Sequence, residues 1–376
     1  MENLTSPAKV QDLQTPCFLI DREKVANNAK KMIDICEKFK VVLRPHMKTA
    51  KTIEAGNLMT NNTKQRITVS TIAEAEFFAA NGFDDILYGY IFTYDKLARI
   101  SELRKKLKSF HLMIDGEEGL QLLLDNKVEG KNWTVYLAIE CGGGREGIEY
   151  DNEEKILKIA KLITNCEHIE LEGLYVHDGN SYEVTGEHKL KELGNSCVEK
   201  LLKVSKHLEE NDIKVKIVGQ GSTPTCSIPG KKMANLNEFH PGNYIFYDVQ
   251  QSVIGSCNVN EIAGRVMTRI IGHYPSRNEM LIDAGFLALS HDGKGKLPNG
   301  SYCLIYDEPR LKVTKMTQEI GYVTATRGDI DFKKYPIGST LFLLPYHSCA
   351  TAAMFSIYYL HDGEDVVDTW KPCKGW

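Results

Sequence analysis

Two short segments near opposite ends of the 376-residue chain carry side chains that could do chemistry. The first reads Arg44-Pro45-His46-Met47-Lys48-Thr49. A lysine amine among other cationic side chains is a group that forms Schiff bases with carbonyl compounds. The second reads Pro345-Tyr346-His347-Ser348-Cys349, and its imidazole and thiol form a nitrogen–sulfur pair suited to zinc. The sequence therefore predicts an amine that holds an aldehyde and a site for a soft divalent metal.

Lys48 follows the first predicted strand, Val41–Leu43. Arg44, His46 and Lys48 recur with period two, so on an extended chain their side chains point to one side. Neighbouring positive charge would favour the neutral, nucleophilic form of the Lys48 amine. A surface lysine that closes a strand is the alternative for Lys48. For the second segment, a cysteine that only fills a core is the alternative.

Apolar strands alternate with amphipathic helices over the first two thirds of the chain. The strands read as continuous apolar runs, which is typical of strands buried on both faces. Because no Gly-x-Gly-x-x-Gly follows the first strand, a dinucleotide-binding fold is disfavoured. The pattern predicts an α/β fold, a (β/α)8 TIM-type barrel. The predicted strands are Val41–Leu43, Ile67–Ser70, Asp85–Tyr90, Phe110–Ile114, Trp133–Ile139, Glu170–Val176, Lys214–Val218 and Tyr244–Tyr247.

After about residue 255, short strands are separated by Gly, Pro and Asn turns, which predicts a mainly β domain. We therefore expect a barrel over residues 16–255 and a C-terminal β domain over residues 256–376 that carries the metal ligands. Residues 1–15 are left open to join the β domain. The predicted strands of this domain are Val266–Tyr274, Glu279–Asp283, Tyr302–Tyr306, Lys312–Thr317 and Thr340–Leu344.

Two loops after the last barrel strands are candidates for binding a phosphate. Gly219–Thr225 follows the seventh predicted strand, and its Ser222 and Thr223 offer hydroxyls. Gly242 and Asn243 lie at the start of the eighth predicted strand. Backbone amides at glycine turns cradle phosphates, and these loops are the usual phosphate site of the barrel. A plain glycine-rich turn is the alternative for either loop.

Further candidates follow the fifth and sixth predicted strands. Arg145 ends the glycine-rich run Cys141–Gly144, where the backbone could pass close to a flat ring and the guanidinium could face a ring nitrogen. Tyr175, His177 and Tyr182 could add contacts to the same ring. The alternatives are a surface arginine on a flexible turn and a hydrogen-bonded core histidine at position 177.

The bulk composition excludes several classes of protein. A net charge of -4 with 42% hydrophobic and 26% charged residues does not favour a nucleic-acid or membrane partner. No apolar run approaches the roughly 20 residues of a membrane span. Ten cysteines without a regular spacing, after a polar N-terminus, predict reduced thiols and a cytoplasmic protein.

Taken together, the motifs resemble a known family, the eukaryotic D-serine dehydratases. These enzymes belong with D-threonine aldolase among the alanine-racemase-like (fold type III) enzymes that use pyridoxal 5'-phosphate. The resemblance extends over essentially the whole chain. It rests on Arg44–Thr49, Gly221–Pro224, His240–Tyr244 and Pro345–Cys349.

The resemblance implies a function and a set of roles. Lys48 would hold pyridoxal phosphate covalently and move the α-proton of the substrate, and His347 and Cys349 would hold Zn²⁺. The enzyme would be a homodimer with its site at the subunit interface, and would convert a D-amino acid, D-serine, into pyruvate and ammonia. The positions that match expected cofactor contacts are Tyr175, Tyr182, Thr223, Gly242 and Asn243.

The chain departs from the family pattern at Ala50 and Ile320, where a histidine is common, so the range of substrates stays open. The alternatives on the same fold are a D-threonine aldolase and a 3-hydroxyaspartate dehydratase. Cys349 favours a dehydratase, because the aldolases have a carboxylate at that position. A non-catalytic pyridoxal-phosphate carrier is the alternative of another class, and retention of His347 together with Cys349 counts against it.

Overall fold

A computed structural model of the protein describes residues 9–376. These residues divide into two compact units, here called the α/β unit and the β unit. The α/β unit contains residues 29–244, 254–256 and 373–376, and the β unit contains residues 9–28, 245–253 and 257–372.

This division departs from the predicted domain boundaries at residues 16 and 255. The early segment belongs to the β unit because its strand, Cys17–Asp21, pairs with two strands of that unit. Of residues 1–15, whose assignment was left open, residues 9–15 group with the β unit and residues 1–8 lie outside the described part of the chain.

The regular elements follow the predicted alternation. The strands are β1 (Cys17–Asp21), β2 (Val42–Leu43), β3 (Ile67–Val69), β4 (Asp85–Ile91), β5 (Ser109–Ile114), β6 (Trp133–Glu140), β7 (Ile148–Glu149), β8 (Ile169–Val176), β9 (Ile217–Gln220), β10 (Glu238–Phe239), β11 (Gly264–Tyr274), β12 (Glu279–Ile282), β13 (Cys303–Ile305), β14 (Leu311–Met316), β15 (Gly321–Ala325), β16 (Thr340–Pro345), β17 (Tyr358–Asp362) and β18 (Asp365–Trp370). The helices are α1 (Arg22–Phe39), α2 (Ile53–Met59), α3 (Ile72–Ala80), α4 (Leu97–Lys106), α5 (Glu117–Asp125), α6 (Glu153–Thr164), α7 (Glu187–Glu209), α8 (Thr223–Ser227), α9 (Val249–Ile254), α10 (Phe286–Leu289) and α11 (Ser348–Met354).

The α/β unit is built on a curled parallel sheet with the strand order β2-β10-β9-β8-β6-β5-β4-β3. The segment that follows β2 also forms hydrogen bonds with β3, the strand at the other end of this order. His46 N donates to Pro241 O at 2.9 Å, whereas Thr68 N donates to Pro45 O at 2.9 Å and Met47 N donates to Thr68 O at 2.8 Å. The segment that leads to Lys48 is therefore fixed by backbone hydrogen bonds on both sides.

The helix α6 shows why the outer elements form where they do. Asn152 caps its first turn by accepting a hydrogen bond from Lys155 N at 3.2 Å. Its apolar residues recur at helical spacing, and Ile156, Ile159 and Ile163 are buried. Its bounds are the ones that the sequence predicted.

The eighth predicted strand, Tyr244–Tyr247, is wrong. Residues Asn243–Ile245 form a 3-10 turn, and the strand in that place of the sheet is β10, which consists of Glu238 and Phe239 alone. A two-residue strand that carries a buried glutamate has no periodic apolar pattern, so it could not be recognised from sequence. The other predicted barrel strands overlap observed ones.

The β unit contains a sheet with the order β14-β15-β12-β11-β1-β17-β18, and β16 pairs with β11 and β13. The predicted strands overlap β11, β12, β13, β14 and β16, whereas β15, β17 and β18 were missed. Phe18 of β1 is fully buried and lies 5.1 Å from the Tyr358 ring, which anchors the early segment in this core. Within residues 9–376, no helix combines the length and apolar character that a membrane crossing requires.

Candidate active site

A cavity of about 380 Å³ lies in the α/β unit, at the carboxyl ends of its parallel strands. Lys48, Arg145, Tyr175 and His177 all contribute to its walls. They come from segments that follow or end β2, β6 and β8. The structure therefore brings these predicted residues together at the end of the sheet where barrel enzymes carry their reactive groups.

The position of Lys48 is set by its own backbone and by His46. Lys48 is half-buried, and its backbone N donates to His46 Nδ1 at 3.3 Å. Because Nδ1 accepts this hydrogen bond, the proton of the neutral ring lies on Nε2. That nitrogen is 3.3 Å from Ser70 Oγ, so the imidazole links the lysine turn to the end of β3.

The two imidazoles beside Lys48 are held neutral. Burial lowers the pKa of His46 well below its ordinary value, and the charge of Lys48 lowers it further. The same two causes, burial and then Lys48, lower the pKa of His177 to about 3. At neutral pH the positive charge in this cavity is therefore carried by its lysines and Arg145, and such a site favours an anionic ligand.

The expectation that Arg44 points to the same side as Lys48 is wrong. The Arg44 side chain is buried, with Nε 2.9 Å from Glu238 Oε2 and an Nη 2.7 Å from Asp85 Oδ1. Burial opposes its charge, but Glu238 and Asp85 raise the pKa of Arg44. Its charge is balanced by these two carboxylates, so Arg44 holds the sheet together and does not act on Lys48. The turn that begins at Met47 breaks the extended geometry on which the period-two argument depended.

The glycine-rich loop after β6 is folded around a carboxylate. Glu140 accepts hydrogen bonds from the backbone N–H groups of Gly142, Gly143 and Arg145. The Arg145 guanidinium makes two hydrogen bonds of 2.5 Å to the Glu146 carboxylate. The loop thus presents a fixed guanidinium at the cavity wall, and the alternative of a flexible surface turn is disfavoured.

Tyr175 and His240 form a buried ring pair. Their ring centroids are 4.4 Å apart, and burial raises the pKa of the Tyr175 hydroxyl. Burial, and then Arg44, lower the pKa of His240. Within residues 9–376 neither ring nitrogen of His240 has a hydrogen-bond partner. A Cβ at Gly221 would lie 2.6 Å from His240 Cβ, so the glycine allows the loop after β9 to pack on this ring.

That loop is fixed by buried hydroxyls. Ser222 Oγ lies 2.8 Å from Ser181 Oγ and 3.1 Å from Thr225 Oγ1, and Thr225 donates to Asp178 at 2.6 Å. The Thr223 hydroxyl is buried and has no hydrogen-bond partner among residues 9–376. A buried hydroxyl without a partner is costly unless a ligand satisfies it. This observation fits a phosphate held by the loop.

The second predicted phosphate loop contacts the wall of the cavity. Gly242 is buried, and a Cβ there would lie 2.6 Å from His46 O and 2.9 Å from His46 Cβ. Any side chain would displace the segment that carries Lys48. His177 Nδ1 similarly donates to Gly221 O at 2.8 Å, which ties the first loop to the cavity. The predicted cofactor-binding residues that are not part of the cavity wall are Tyr182, Ser222, Thr223, Gly242 and Asn243.

Several wall residues were not among the predicted site residues. They are Ser70, Tyr90, Lys96 and Trp376, together with His46. Ser70 follows β3 and Tyr90 lies in the last part of β4, so the rule that sites form at carboxyl ends of strands could have identified both. Lys96 precedes a surface helix and Trp376 lies 328 positions from Lys48 in the sequence, and neither carries a local signal.

The predicted metal pair lies in the β unit. His347 precedes α11, and Cys349 lies in its first turn. The two side chains form a hydrogen bond. Burial would lower the pKa of His347, but Cys349 and Asp292 raise it to about 11. Metal binding requires a neutral imidazole and a thiolate, and such a pair releases a proton when a cation enters.

The donor set fits a metal with open positions. Among residues 9–376 no third His, Cys, Asp or Glu joins the pair to form a metal-binding group. One nitrogen and one sulfur ligand would leave coordination positions for water or a substrate oxygen, as a catalytic zinc requires. The backbone of this segment is tied to Asp248, since Ser348 N donates to Asp248 Oδ2 at 2.9 Å.

Two protein families match the chain. The family described as alanine racemase, N-terminal domain, matches residues 20–249, and the putative serine dehydratase domain matches residues 263–361. A D-serine dehydratase of Dictyostelium discoideum is 35% identical over 390 residues, which cover 98% of this chain and 98% of that protein.

Solved structures are similar over the same extent. The D-threo-3-hydroxyaspartate dehydratase of Delftia sp. HT23 is 28% identical, with a TM-score of 0.92 over 98% of this chain and 100% of that chain. A cysteine-to-alanine mutant of a D-threo-3-hydroxyaspartate dehydratase, described as a metal-free form, has a TM-score of 0.93 at 28% identity over the same shares.

Proposed function

Because the chain belongs to the D-serine dehydratase family of alanine-racemase-like proteins, we propose that it is a lyase that uses pyridoxal 5'-phosphate and Zn²⁺ to convert D-serine into pyruvate and ammonia. The observation that carries the proposal is the cavity that holds Lys48 among Arg145, Tyr175 and His177. An amine, a cation and aromatic rings in one cavity at the carboxyl ends of parallel strands suit an anionic aromatic aldehyde.

The cofactor would be held from several sides. The Lys48 amine would bind its carbonyl, Tyr175, His177 and Tyr182 would contact its ring, and Arg145 would face the ring nitrogen. When bound, the ring serves as an electron sink for a carbanion at the substrate α-carbon. Among residues 9–376 the Thr223 hydroxyl has no hydrogen-bond partner, and this observation and the close approach of Gly242 to His46 support a phosphate position between the two loops. The residues proposed to hold the phosphate are Ser222, Thr223, Gly242 and Asn243.

We propose that the Lys48 amine also acts as the base that removes the α-proton of the substrate. Once a substrate amine has replaced it, Lys48 Nζ can take the proton from the substrate α-carbon. His46 keeps the turn that carries Lys48 in place through its hydrogen bond to the Lys48 backbone N–H. Because burial and then the charge of Lys48 lower the pKa of His46 and of His177, both imidazoles are weak proton acceptors and neither competes with Lys48 as the base.

His347 and Cys349 would hold the Zn²⁺ ion, which supplies Lewis-acid stabilisation to the departing β-hydroxyl group. Hydroxide is a poor leaving group, so the elimination needs such help. The nitrogen–sulfur donor set supports zinc over harder cations.

Three further features complete the proposal: the closure of the sheet, the oligomeric state and the location in the cell. We propose that the parallel sheet closes into a full (β/α)8 barrel, which the hydrogen bonds of Pro45 and Met47 with Thr68 support. We propose a homodimer with its site at the subunit interface, on the basis of the resemblance. We also propose a cytoplasmic location, because all ten cysteines are free thiols.

A second candidate substrate is D-threo-3-hydroxyaspartate. Lys96 contributes to the cavity wall, and its ammonium could bind a second carboxylate. The similarity to a dehydratase of that compound agrees with this alternative.

A substrate panel tests the proposal. The protein loaded with pyridoxal phosphate and Zn²⁺ is incubated with D-serine, D-threonine and D-threo-3-hydroxyaspartate, with and without a chelator, while keto acid, ammonia and glycine are measured. We expect pyruvate and ammonia from D-serine, and loss of both after chelation. L-serine serves as the mirror-image control. Glycine plus aldehyde would indicate an aldolase, and no turnover despite a bound cofactor would indicate a carrier.

A further inference from the structure

Asp292 lies next to the proposed metal pair, and nothing in the reaction described above assigns it a role. His347 Nδ1 and Asp292 Oδ2 are 2.5 Å apart. We propose that Asp292 is a positioning residue that fixes the tautomer and orientation of His347 so that its Nε2 binds the metal. This inference rests on the proposed function, because it requires a metal at His347 and Cys349.

The hydrogen-bond pattern decides which nitrogen is left for the metal. Asp292 Oδ2 lies within hydrogen-bond distance of His347 Nδ1. A carboxylate can only accept, so His347 Nδ1 carries the proton and donates it. In the neutral imidazole that a metal requires, the lone pair is then on Nε2. A ligating histidine that donates its other N–H to a carboxylate is both oriented and made more basic.

The fold brings Asp292 to this place through a close packing of two loops. A Cβ at Gly293 would lie 2.8 Å from the Tyr302 carbonyl carbon and 3.0 Å from Tyr346 Cβ. The glycine therefore lets the loop after α10 lie against Tyr346, the residue before His347. Thr351 of α11 also donates to Leu289 O at 3.0 Å, which ties the two segments together a second time.

Two aspartates thus contact different parts of the segment His347–Cys349, here called the metal segment. Asp248 accepts hydrogen bonds from Ser348 N at 2.9 Å and Ser348 Oγ at 3.3 Å, so it holds the backbone. Asp292 contacts the imidazole ring. In the described chain, Asp292 does not complete a metal-binding group of three with His347 and Cys349. This agrees with an Asp292 that contacts His347 and is not itself a metal ligand.

The test compares metal affinity in Asp292→Ala, Asp292→Asn and a control, Glu308→Gln. Glu308 is a carboxylate of the same unit whose partners are Lys334 and Tyr335, so its loss leaves the metal segment untouched. The full chain loaded with pyridoxal phosphate is titrated with Zn²⁺ and with Co²⁺ against a competing chelator. We expect Asp292→Ala to weaken both metals roughly 10- to 100-fold and Glu308→Gln to leave them unchanged.

Two further measurements distinguish a role of Asp292 in orienting His347 from a general loss of structure in the variant. Nitrogen NMR of the Zn²⁺-loaded protein should show the proton of the His347 ring on Nδ1 in the wild type and redistributed towards Nε2 in Asp292→Ala. The visible spectrum of the bound pyridoxal phosphate should stay unchanged. If Asp292→Ala does not fold, Asp292→Asn keeps the shape and one acceptor oxygen, and it should show a smaller loss of metal affinity in the same direction.

The outcomes are distinguishable. Wild-type metal affinity that persists in both Asp292 variants, or an unchanged tautomer in Asp292→Ala, would overturn this inference and leave the proposed function intact. A wild-type protein that binds neither Zn²⁺ nor Co²⁺ would overturn the metal part of the proposed function and this inference with it.

Discussion

Arg44 and Glu238 each have only 2% of their side chain exposed, and their charges are separated by 2.9 Å. The network extends to Asp85, which lies 2.7 Å from Arg44. Charges this deeply buried are tolerated only while each has its partner, because desolvation of an unpaired charge costs several kcal/mol. The motif that carries Lys48 thus begins with a residue whose task is structural.

Removing one member of this network should destabilise the protein strongly. We expect Glu238→Gln to lower the free energy of unfolding by about 3–5 kcal/mol, because Arg44 loses one of its two carboxylates. The matched control is Glu76→Gln, since the Glu76–Arg99 pair is nearly half exposed and should contribute less than about 1 kcal/mol. Urea denaturation measures both variants. Equal losses would show that Glu238 is not a paired buried charge.

His240 should give the stability of the protein a measurable dependence on pH. Its pKa is lowered in the folded state, so below the ordinary value of about 6.5 the unfolded chain binds a proton that the folded chain does not. This contribution is present above pH 6.5 and is lost as the pH falls, at about 1.4 kcal/mol per pH unit.

The measurement compares wild type with His240→Gln, which cannot titrate. At pH 7 the variant should be the less stable protein, since it loses the ring contact with Tyr175. On acidification to pH 5.5 the difference in unfolding free energy should shrink. A difference that stays constant or grows would show that the pKa of His240 is not lowered by folding.

At the scale of elements, the site depends on loops that approach each other closely. The segment before Lys48 is held by backbone hydrogen bonds to Pro241 and Thr68, and the loop at Gly242 presses on His46. The loop after β9 packs on His240 and is fixed by the Ser222 hydroxyl. The strands form the framework of the site, and glycines allow its loops to pack against one another.

Gly242→Ala should therefore weaken cofactor binding. Its Cβ would lie 2.6 Å from His46 O, and overpacking of this kind costs about 1–3 kcal/mol. We expect pyridoxal-phosphate affinity, measured by equilibrium titration, to fall roughly tenfold or more. Gly119→Ala is the control, because nothing lies within 4 Å of its Cβ and alanine favours the helix α5. An affinity in Gly242→Ala equal to that of the control would contradict the proposed phosphate loop.

Some of these elements could be predicted from sequence and some could not. The helix α6 has an asparagine cap and apolar residues at helical spacing, so its bounds were predicted correctly. The strand β10 has two residues and a buried glutamate, so no periodic pattern reveals it. Similarly, the turn after His46 separated Arg44 from Lys48, and only the tertiary pairing of Arg44 with Glu238 explains where it points.

At the scale of the whole molecule, the proposed chemistry draws on both units. Lys48 belongs to the α/β unit, and His347 and Cys349 belong to the β unit. Both sets of residues are predictions from short motifs, because the types of side chain that bind a carbonyl or a soft metal are few. Lys96 and Trp376 were missed, because only the fold brings them to the cavity.

The most direct test locates the cofactor on the chain. The protein is loaded with pyridoxal phosphate, reduced with borohydride to make the attachment permanent, digested, and analysed by mass spectrometry. We predict that the phosphopyridoxyl label lies on Lys48, and that Lys48→Ala carries none. Attachment to Lys51, which is paired with Glu74, or to Lys96 in the cavity wall would contradict the account, as would a protein that carries no label at all.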